Sequence, residues 1–553
     1  MTYNLADLFE QVVDAVPDRE AFVVGERRLT YRELDRRANR LAHVLADRGV
    51  GPGDRVGLQL VNGSEYLEGM LAAFKLRAVP INVNYRYVEG ELRHLFADAG
   101  LVALVLHASF AERVAVAAVD VAALHVFLVV ADGSDASALG NGIDYETAMA
   151  AASTERDFEP RSDDDLYCVY TGGTTGLPKG VLWRHEDIFF AAMGGGDPFQ
   201  TGDWITEPSE LVDRLPEVGM VALPIPPFMH ASAHWLAFHQ LFGGGKIVVA
   251  EGGGFDPAAI WELVGREKVN TVVIVGDAMA RPLCDELVAH PDRYDTSSLL
   301  AIGSGGAILS PSTKAQIAEL LPGRFVVDSY GSSETGTVGG QGAFEGKEAT
   351  GPKLRLDDRT AVLDDDLQPV EAGSQQIGRL ARSGHVPIGY HGDEEKSAAT
   401  FVTHGGRRWV IPGDMATVDL DGTINLLGRG SVSINTGGEK VFPEEVEAAL
   451  KAHPDVLDAV VVGVPDDRWG ERVVAIVQPR AGTAPSLEDL QAHGRAHLAG
   501  YKLPRELVEV GRVVRSPSGK ADYRWAKDVA LTSIADGAGQ SPAAAASRRG
   551  EQA

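Results

Sequence analysis

The segment from Tyr170 to Gly180 reads Tyr-Thr-Gly-Gly-Thr-Thr-Gly-Leu-Pro-Lys-Gly and follows the apolar run 166–169. Its glycines let the backbone approach a bulky anion, and successive N–H groups there can form an anion-binding concavity. Its threonine hydroxyls can donate hydrogen bonds to phosphate oxygens, and Lys179 adds a positive charge. This combination favours a phosphate-binding loop over an ordinary flexible surface loop.

The same segment does not match the P-loop of kinases and ATPases. That motif requires a glycine before the lysine and a serine or threonine after it to hold magnesium. Here Pro178 precedes Lys179 and Gly180 follows it. We therefore expect phosphate binding within a different architecture.

A second segment, 328–336, reads Asp-Ser-Tyr-Gly-Ser-Ser-Glu-Thr-Gly and follows a predicted strand at 325–327. A turn after a parallel strand is the usual ligand position in open α/β sheets. Tyr330 offers a flat face for a purine, and Glu334 is a hard oxygen ligand suited to magnesium. The alternative interpretation is a helix N-terminus with a capping box.

Two further segments could contribute charge. Asp414 ends the run 409–414, with Arg429 close behind it in 427–430, so a carboxylate could bind ribose hydroxyls with an arginine beside it. Lys520 ends the Pro- and Gly-containing turn 516–520. Taken alone, Asp414 is more typical of a structural turn and Lys520 of a surface lysine.

No His-Glu-x-x-His, Cys-x-x-Cys or Gly-x-Ser-x-Gly pattern supports a zinc site or a hydrolase.

Composition limits the class of protein. A chain of 553 residues is too long for one compact core, so two or more domains are expected. A net charge of −27 argues against nucleic acid as a partner, and only two cysteines argue against a disulfide framework. The N-terminus lacks a cationic signal region and no stretch reaches transmembrane length. We expect a cytoplasmic protein; peripheral membrane contact stays compatible with the sequence.

The elements that must position these residues alternate between strand and helix through the first 400 residues. Examples are a helix at 31–47, a strand at 55–60 and a helix at 64–75. Alternation of this kind predicts parallel sheets with helices outside. Near residue 430 a smaller α+β unit begins, with a helix from Pro443 to Leu450 and a strand at 459–464. The residues beyond 530 are mostly small or polar and predict a disordered tail.

Together the four segments resemble the adenylate-forming superfamily of acyl-CoA synthetases, luciferases and peptide-synthetase adenylation domains. The resemblance covers residues 5–527, in the order and spacing of the family. The phrases at 181–187, 276–282 and 428–435 are similar to actinobacterial acyl-CoA synthetases that activate fatty acids or steroid side-chain acids.

The resemblance implies an α/β fold. A large N-terminal domain, 1–428, would have parallel-rich sheets with flanking helices and a small β subdomain. A hinge at 429–431 would join it to a small mobile α+β domain at 432–530, followed by a tail at 531–553.

The resemblance also implies the site. Lys179 would hold the leaving phosphates, Thr335 would contact the α-phosphate, Glu334 would bind magnesium and Lys520 would bridge the substrate carboxylate. The positions matching the family's nucleotide-binding residues are Thr171, Gly172, Gly173, Thr174, Thr175, Gly176, Lys179, Gly305, Gly306, Ala307, Asp328, Ser329, Tyr330, Gly331, Ser333, Thr335, Asp414, Arg429 and Lys520. Those bordering the acyl site are His230, Val275, Gly276, Asp277, Ser304 and Gly305, and those beside the CoA channel are Gly437, Gly438 and Glu439.

Two positions depart from the family pattern. Gly172 stands where the phosphate loop commonly has a serine, so one hydroxyl donor is lost. Ser431 stands where the hinge commonly has an aspartate or a lysine, so the charge contacts of that residue are lost while rotation stays possible.

The implied activity is ATP-dependent formation of an acyl-CoA through an acyl-adenylate, with Mg²⁺ as cofactor and CoA as co-substrate. Its partners would be ATP, CoA and a small carboxylic acid, and a homodimer stays open because dimers are common among similar enzymes. The alternatives are a fatty-acyl-AMP ligase that loads a carrier protein and a catalytically silent nucleotide-binding protein. A peptide-synthetase adenylation domain is less favoured, since no carrier domain follows residue 527.

Overall fold

Apolar β-branched runs form the strands and amphipathic segments form the helices in this computed structural model. The structure describes residues 2–171, 178–198, 203–252, 254–307, 309–342, 354–437, 439–466, 468–515 and 520–538. The predicted positions Gly172, Gly173, Thr174, Thr175, Gly176 and Gly438 therefore lie outside the described residues, as does the tail from 539 onward.

The helices of the described chain are numbered in chain order. α1 to α15 are, in turn, Leu5–Ala15, Tyr31–Ala46, Ser64–Lys75, Glu89–Ala99, Ala111–Ala118, Tyr145–Ala150, His185–Ala192, Ala231–Phe242, Pro257–Glu267, Gly276–Ala289, Pro311–Leu320, Glu394–Thr400, Pro443–Lys451, Leu487–Gly494 and Tyr523–Ala538.

The strands are numbered in the same way. β1 to β28 are, in turn, Glu20–Val24, Arg27–Thr30, Arg55–Gln59, Val79–Asn82, Leu101–His107, Val126–Val130, Ile143–Asp144, Leu166–Thr171, Lys179–Arg184, Val221–Pro224, Lys246–Val249, Thr271–Ile274, Ala301–Gly305, Phe325–Ser332, Gly336–Gly342, Leu354–Arg355, Thr360–Leu363, Gly378–Ser383, Gly389–Tyr390, Phe401–His404, Arg407–Val410, Asp414–Val418, Thr423–Arg429, Ile434–Thr436, Glu439–Val441, Val456–Asp466, Gly470–Pro479 and Glu506–Glu509.

Two mostly parallel sheets dominate the large domain, as predicted. Sheet A has the order β15-β14-β13-β12-β10-β11-β1-β2, and sheet B has the order β19-β9-β8-β4-β3-β5-β6-β7. One hydrophobic cluster joins residues of both sheets to helices α1, α2, α3, α7 and α8, so these helices form the layer between the sheets. Both faces of the central strands are covered, which is why β5 (Leu101–His107) is a nearly continuous apolar run.

Two smaller sheets complete the chain. The mainly antiparallel sheet C, in the order β16-β23-β22-β18-β21-β20 with β17 paired to β18, is the predicted β subdomain. Sheet D, in the order β25-β24-β27-β26 with β28 parallel to β27, packs against α13, α14 and α15 and forms the small α+β domain. The fold class predicted from the sequence is confirmed.

Local predictions are confirmed where the pattern was strong. The helix predicted at 31–47 ends one residue earlier, and its start is explained by a capping box between Thr30 and Glu33. The helix at 64–75 has the predicted bounds. Within the described ranges, no helix combines the length and the apolar character needed to cross a bilayer.

Two local predictions were wrong. The strand expected to end at 327 continues to Ser332, because β14 gains an antiparallel partner in β15. The tail expected from residue 531 is helical up to Ala538. Ala526 and Ala530 are buried against sheet D and Ile534 packs beside them, so three residues four apart give α15 an apolar stripe.

Candidate active site

A cavity of about 1510 Å³ runs along β12, β13 and β14 to their carboxyl ends and reaches the carboxyl end of β8. Its walls include Thr171, Val275, Gly305 and Tyr330 of the large domain and Lys520 of the small domain. The carboxyl edge of a parallel sheet is where ligands bind in open α/β folds. Ligand pockets usually measure about 300–1,000 Å³, so this cavity has room for a nucleotide and a second large molecule.

Asp414 is the centre of a hydrogen-bonded cluster beside this cavity. Its Oδ2 accepts a hydrogen bond from the Tyr330 hydroxyl at 2.7 Å, and its Oδ1 lies 3.4 Å from the Arg429 Nε. Asp414 and Arg429 are direct partners in the pairing of β22 with β23, which explains how residues fifteen positions apart come together. The Tyr330 ring is thereby held in one orientation, as a stacking surface requires.

Glu334 follows β14 in the turn that leads into β15. Its two oxygens accept hydrogen bonds from the Ser333 hydroxyl at 2.8 Å and from the Tyr390 hydroxyl at 3.0 Å. Burial opposes ionisation, but the Ser333 hydrogen bond, the positive charge of Arg429 and the Tyr390 hydrogen bond outweigh it and lower the pKa of Glu334. The carboxylate is therefore charged at neutral pH.

The 332–335 turn is not a helix N-terminus, so the capping-box alternative is wrong. The Thr335 hydroxyl, which is buried, accepts a hydrogen bond from the Ser332 amide at 3.0 Å, and Trp183 Nε1 donates to the Ser333 carbonyl at 3.0 Å. These contacts give the turn a fixed shape between sheets A and B.

Lys520 brings the small domain into the site. Its side chain is open to the cavity but enclosed by protein, and its electrostatic neighbours are Arg429, Glu334 and Asp414. Burial, followed by repulsion from Arg429, lowers the pKa of Lys520, whereas the two carboxylates favour its charged form. Four residues that the sequence spreads over nearly two hundred positions thus lie close together beside the cavity, and of these four only Lys520 lines it within the described chain.

Lys179 begins β9, directly beyond the loop. Its Nζ forms an ion pair with Asp393, which also accepts a hydrogen bond from the Lys396 amide at 2.9 Å. The Lys396 ammonium lies 4.0 Å from the centre of the Tyr390 ring. A second lysine therefore lies beside Glu334 and Lys179, and its charge was not expected from the sequence.

The remaining predicted nucleotide-site residues lie along β13 and β14. Ser329 and Gly331 line the cavity, and so does Gly306 at the end of β13, next to Ala307. Asp328 does not line the cavity within the described chain, because its buried carboxylate forms an ion pair with Lys314 at 2.7 Å. Burial raises the pKa of Asp328, although Lys314 opposes this.

The predicted acyl-site residues divide into two groups. His230, Val275, Ser304 and Gly305 line the cavity, together with Trp235, His239, Met229 and Met279, which sequence reasoning missed. Gly276 and Asp277 do not line it among the residues described. The Asp277 carboxylate instead accepts hydrogen bonds from the Ser310 amide at 2.8 Å and the Ser310 hydroxyl at 3.1 Å.

The predicted CoA-channel residues lie at the start of sheet D. Gly437 has a φ of +62°, and a Cβ there would lie 2.9 Å from the Trp469 ring, so both conformation and space favour glycine. Glu439 begins β25 and is exposed. In this orientation the small domain contributes residues 432–434, 461–463, Glu471 and 520–524 to the cavity wall rather than Gly437 or Glu439.

A magnesium ion would find one protein carboxylate here. The described residues contain no cluster of three or more His, Cys, Asp or Glu side chains able to hold a metal. Mg²⁺ is commonly bound through one or two carboxylates together with substrate phosphates. Glu334, whose lowered pKa keeps it charged, fits that donor pattern.

The family follows from comparison with known proteins. Residues 9–390 match the AMP-binding enzyme family and residues 445–520 match its C-terminal domain. The chain therefore belongs to the AMP-binding enzymes, the adenylate-forming class predicted from the sequence. The two matches correspond to the large and the small domain.

Several individual relatives of this chain are CoA ligases. The chain is 49% identical over 536 residues to a 3-oxocholest-4-en-26-oate–CoA ligase of Rhodococcus rhodochrous, covering 96% of each chain. It is 49% identical to a medium/long-chain-fatty-acid–CoA/3-oxocholest-4-en-26-oate–CoA ligase of Mycolicibacterium smegmatis, covering 97% of this chain and 98% of that one. The fold matches the anthranilate CoA ligase AuaEII in complex with anthranoyl-AMP, with a TM-score of 0.82 at 22% identity over 96% of this chain and 98% of that chain.

Proposed function

We propose that this chain is an AMP-forming acyl-CoA synthetase that activates a medium- or long-chain fatty acid or a steroid side-chain acid. The convergence of Glu334, Asp414, Arg429 and Lys520 beside the cavity carries the proposal. A charged carboxylate, a hydrogen-bonded aspartate and two cations match the needs of a nucleotide whose α-phosphate is attacked by a second anion.

In the first half-reaction the substrate carboxylate attacks the α-phosphorus of ATP, and the bond to the leaving pyrophosphate oxygen breaks. Lys520 lowers the repulsion between the two anions, and Lys179 leaves Asp393 to pair with the pyrophosphate. Asp414 accepts hydrogen bonds from the ribose hydroxyls and Tyr330 stacks on adenine. Glu334 would hold Mg²⁺, which when bound neutralises phosphate charge.

In the second half-reaction the CoA thiol attacks the acyl carbonyl, loses its proton, and the bond to AMP breaks. We place the hinge at 429–431, where β23 ends at Arg429 and a short 3₁₀ turn, Gly430–Val432, leads into β24. Rotation there would remove Lys520 from the cavity and bring Gly437 to it. Ser431 lies in this turn and has no long side chain to obstruct rotation.

The acyl substrate is inferred from size and lining. The cavity exceeds the volume of one ligand, and Trp235, Met229 and Met279 give its inner wall an apolar surface. Both relatives described above are named for a steroid acid, and the Mycolicibacterium smegmatis protein is also named for medium- and long-chain fatty acids. A large apolar acid is therefore the proposed substrate class.

The function is tested by measuring AMP release with fatty, aryl and steroid acids, with and without CoA, beside variant Lys520→Ala. We expect acid-dependent AMP release that requires CoA. In Lys520→Ala, adenylation should fall about 100- to 1,000-fold. Conversion of supplied acyl-adenylate to acyl-CoA should change less than about threefold, since Lys520 is outside the site in that step.

The control is Lys268→Ala, which removes an exposed lysine paired with Asp295. Equal loss of both half-reactions in Lys520→Ala would contradict domain alternation. If AMP were released without CoA, or if the acyl group were transferred to a carrier protein instead of CoA, the chain would be an acyl-AMP ligase rather than an acyl-CoA synthetase. Absence of acid-dependent pyrophosphate exchange would overturn the enzyme proposal altogether.

A cytoplasmic location and a homodimer stay predictions. Fractionation of cells that express the chain and sedimentation of the purified protein would test them separately.

A further inference from the structure

The Gly276–Pro282 phrase contains a buried cation that the proposed chemistry does not use. Arg281 lies in α10 and is 4% exposed, and it does not line the cavity within the described chain. Burial lowers the pKa of its guanidinium. A charged group this deeply enclosed is costly unless its donors are satisfied, so its partners are informative.

Three of those partners belong to the small domain, whereas the fourth, the Thr313 hydroxyl of α11 in the large domain, accepts a hydrogen bond from Arg281 Nε at 3.3 Å. Arg281 Nη1 donates to the carbonyls of Val456 at 3.1 Å and Leu457 at 2.7 Å, and Nη2 donates to the carbonyl of Lys451 at 3.1 Å. Lys451 is the last residue of α13 and Val456 is the first residue of β26. The guanidinium thus provides hydrogen-bond donors for carbonyl groups at the end of helix α13 and at the start of the following strand, β26.

Asp277, one helical turn before Arg281 in α10, also takes part in the contact between the two domains. Its Oδ2 lies 3.7 Å from Arg281 Nη2 and 3.8 Å from the Nζ of Lys451, while its Oδ1 is held by Ser310. Lys451 is itself 4% exposed. One buried carboxylate of the large domain therefore faces one cation from each domain.

We infer that Arg281 is a positioning residue that docks the small domain in the orientation that places Lys520 in the cavity. The inference rests on the proposed function, in which this orientation serves adenylation. A rotation at 429–431 would separate α13 from α10 and return the three carbonyls and Lys451 to water. Arg281 therefore favours the adenylating orientation without touching substrate.

The test compares the half-reactions in variant R281M, which keeps much of the side-chain length but removes every donor. We expect adenylation kcat to fall at least about tenfold, with the KM values for ATP and acid within about threefold, because the binding residues are unchanged. Conversion of supplied acyl-adenylate to acyl-CoA should be undiminished. R281K, which restores a charge beside Asp277, should recover part of the adenylation rate.

The matched control is R293M, which removes an exposed arginine paired with Glu262 just beyond the same helix. Equal loss of both half-reactions in R281M, or loss of neither, would overturn the inference. Wild-type protein is assayed in parallel; its failure to form acyl-CoA would refute the proposed function rather than the docking role.

A second measurement reports domain orientation without catalysis. The native cysteines, Cys168 and Cys284, are both buried, so spin labels can be directed to Ser134→Cys in the large domain and Glu488→Cys in the small domain. Pulsed electron–electron double resonance measures the distance between the two labels. Its distribution should broaden or gain a second maximum in R281M but not in R293M. Identical distributions in wild type and R281M would overturn the docking role, whatever the assays show.

Discussion

Asp414 connects the large domain's proposed nucleotide-site residues through its two oxygens. Tyr330 donates to one oxygen and Arg429 faces the other, while Lys520 is close enough for its pKa to respond to the Asp414 charge. The carboxylate is 7% exposed. A single negative charge thus orients an aromatic ring and balances two cations, so we expect nucleotide binding to be sensitive to this residue.

Asp414→Asn keeps one oxygen acceptor but removes the charge and introduces two N–H donors. We expect the KM for ATP to rise about tenfold or more, since hydrogen bonds to a charged group contribute about 1.5–3 kcal/mol. The measurement is initial-rate kinetics at saturating acid, with the exposed Asp365→Asn as control. An unchanged KM for ATP would exclude Asp414 from the nucleotide site.

At the scale of elements, strand β8 and helix α8 are joined by a buried hydrogen-bonded chain. His234 Nδ1 donates to the Phe228 carbonyl at 2.7 Å, which leaves Nε2 to accept from the Tyr167 hydroxyl. Trp235 Nε1 in turn donates to the Tyr167 oxygen at 2.8 Å. Burial lowers the pKa of His234 to about 4, which agrees with a neutral ring. Because Trp235 lines the cavity, this hydrogen-bonded chain helps shape the cavity wall.

Tyr167→Phe would leave the Trp235 donor and the His234 acceptor buried without this partner. Each such group costs about 1–3 kcal/mol, so we expect the free energy of unfolding to fall by about 2–6 kcal/mol. Urea unfolding followed by tryptophan fluorescence measures the change, and Tyr501→Phe, at a half-exposed position, is the control. A loss below about 0.5 kcal/mol would mean that the network relaxes or fills with water.

At the scale of the whole molecule, the two domains share the cavity but carry different buried titratable groups. In the large domain, burial lowers the pKa of both His185 and His234 to about 4. In the small domain, burial and repulsion from Glu447 raise the pKa of Glu444 to about 7. Glu444 lies against Gly428, whose φ is +123°, so this carboxyl is next to the proposed hinge.

These shifts predict opposite pH responses. The histidines bind protons less readily in the folded large domain, so its stability is lost as pH falls from about 6.5 to about 4. Glu444 binds its proton more readily when folded, so the small domain loses stability as pH rises from about 4.5 to about 7. Scanning calorimetry between pH 4 and 8 should show the transitions of the two domains moving in opposite directions.

Variant Glu444→Gln should remove most of the pH dependence of the small domain's stability. Relative to wild type, its free energy of unfolding should rise by up to about 3 kcal/mol at pH 8 and change little at pH 4.5. The exposed Glu488→Gln is the control and should leave the profile as in wild type. Parallel pH profiles for Glu444→Gln and wild type would contradict the assignment.

The amino-acid sequence alone determined the class of protein, the alternation that builds the parallel sheets, and helices such as Ser64–Lys75. These depend on local signals, namely hydrophobic period, capping residues and the residue types of short motifs. The segments around Glu334, Asp414 and Lys520 could be proposed as site residues because their residue types suit a nucleotide. Family membership, predicted from them, is confirmed by the matches to both domains.

Only the tertiary structure decided which side chains meet. Tyr390 donates a hydrogen bond to Glu334, which is 56 residues away in the sequence. Lys179 forms an ion pair with Asp393, which is 214 residues away. The Asp277 carboxylate contacts Ser310 and Lys451 instead of lining the cavity. Such pairs arise from strand register and from the docking of one domain on the other. No local pattern of residues encodes either, because both depend on the packing of surfaces that are distant in the chain.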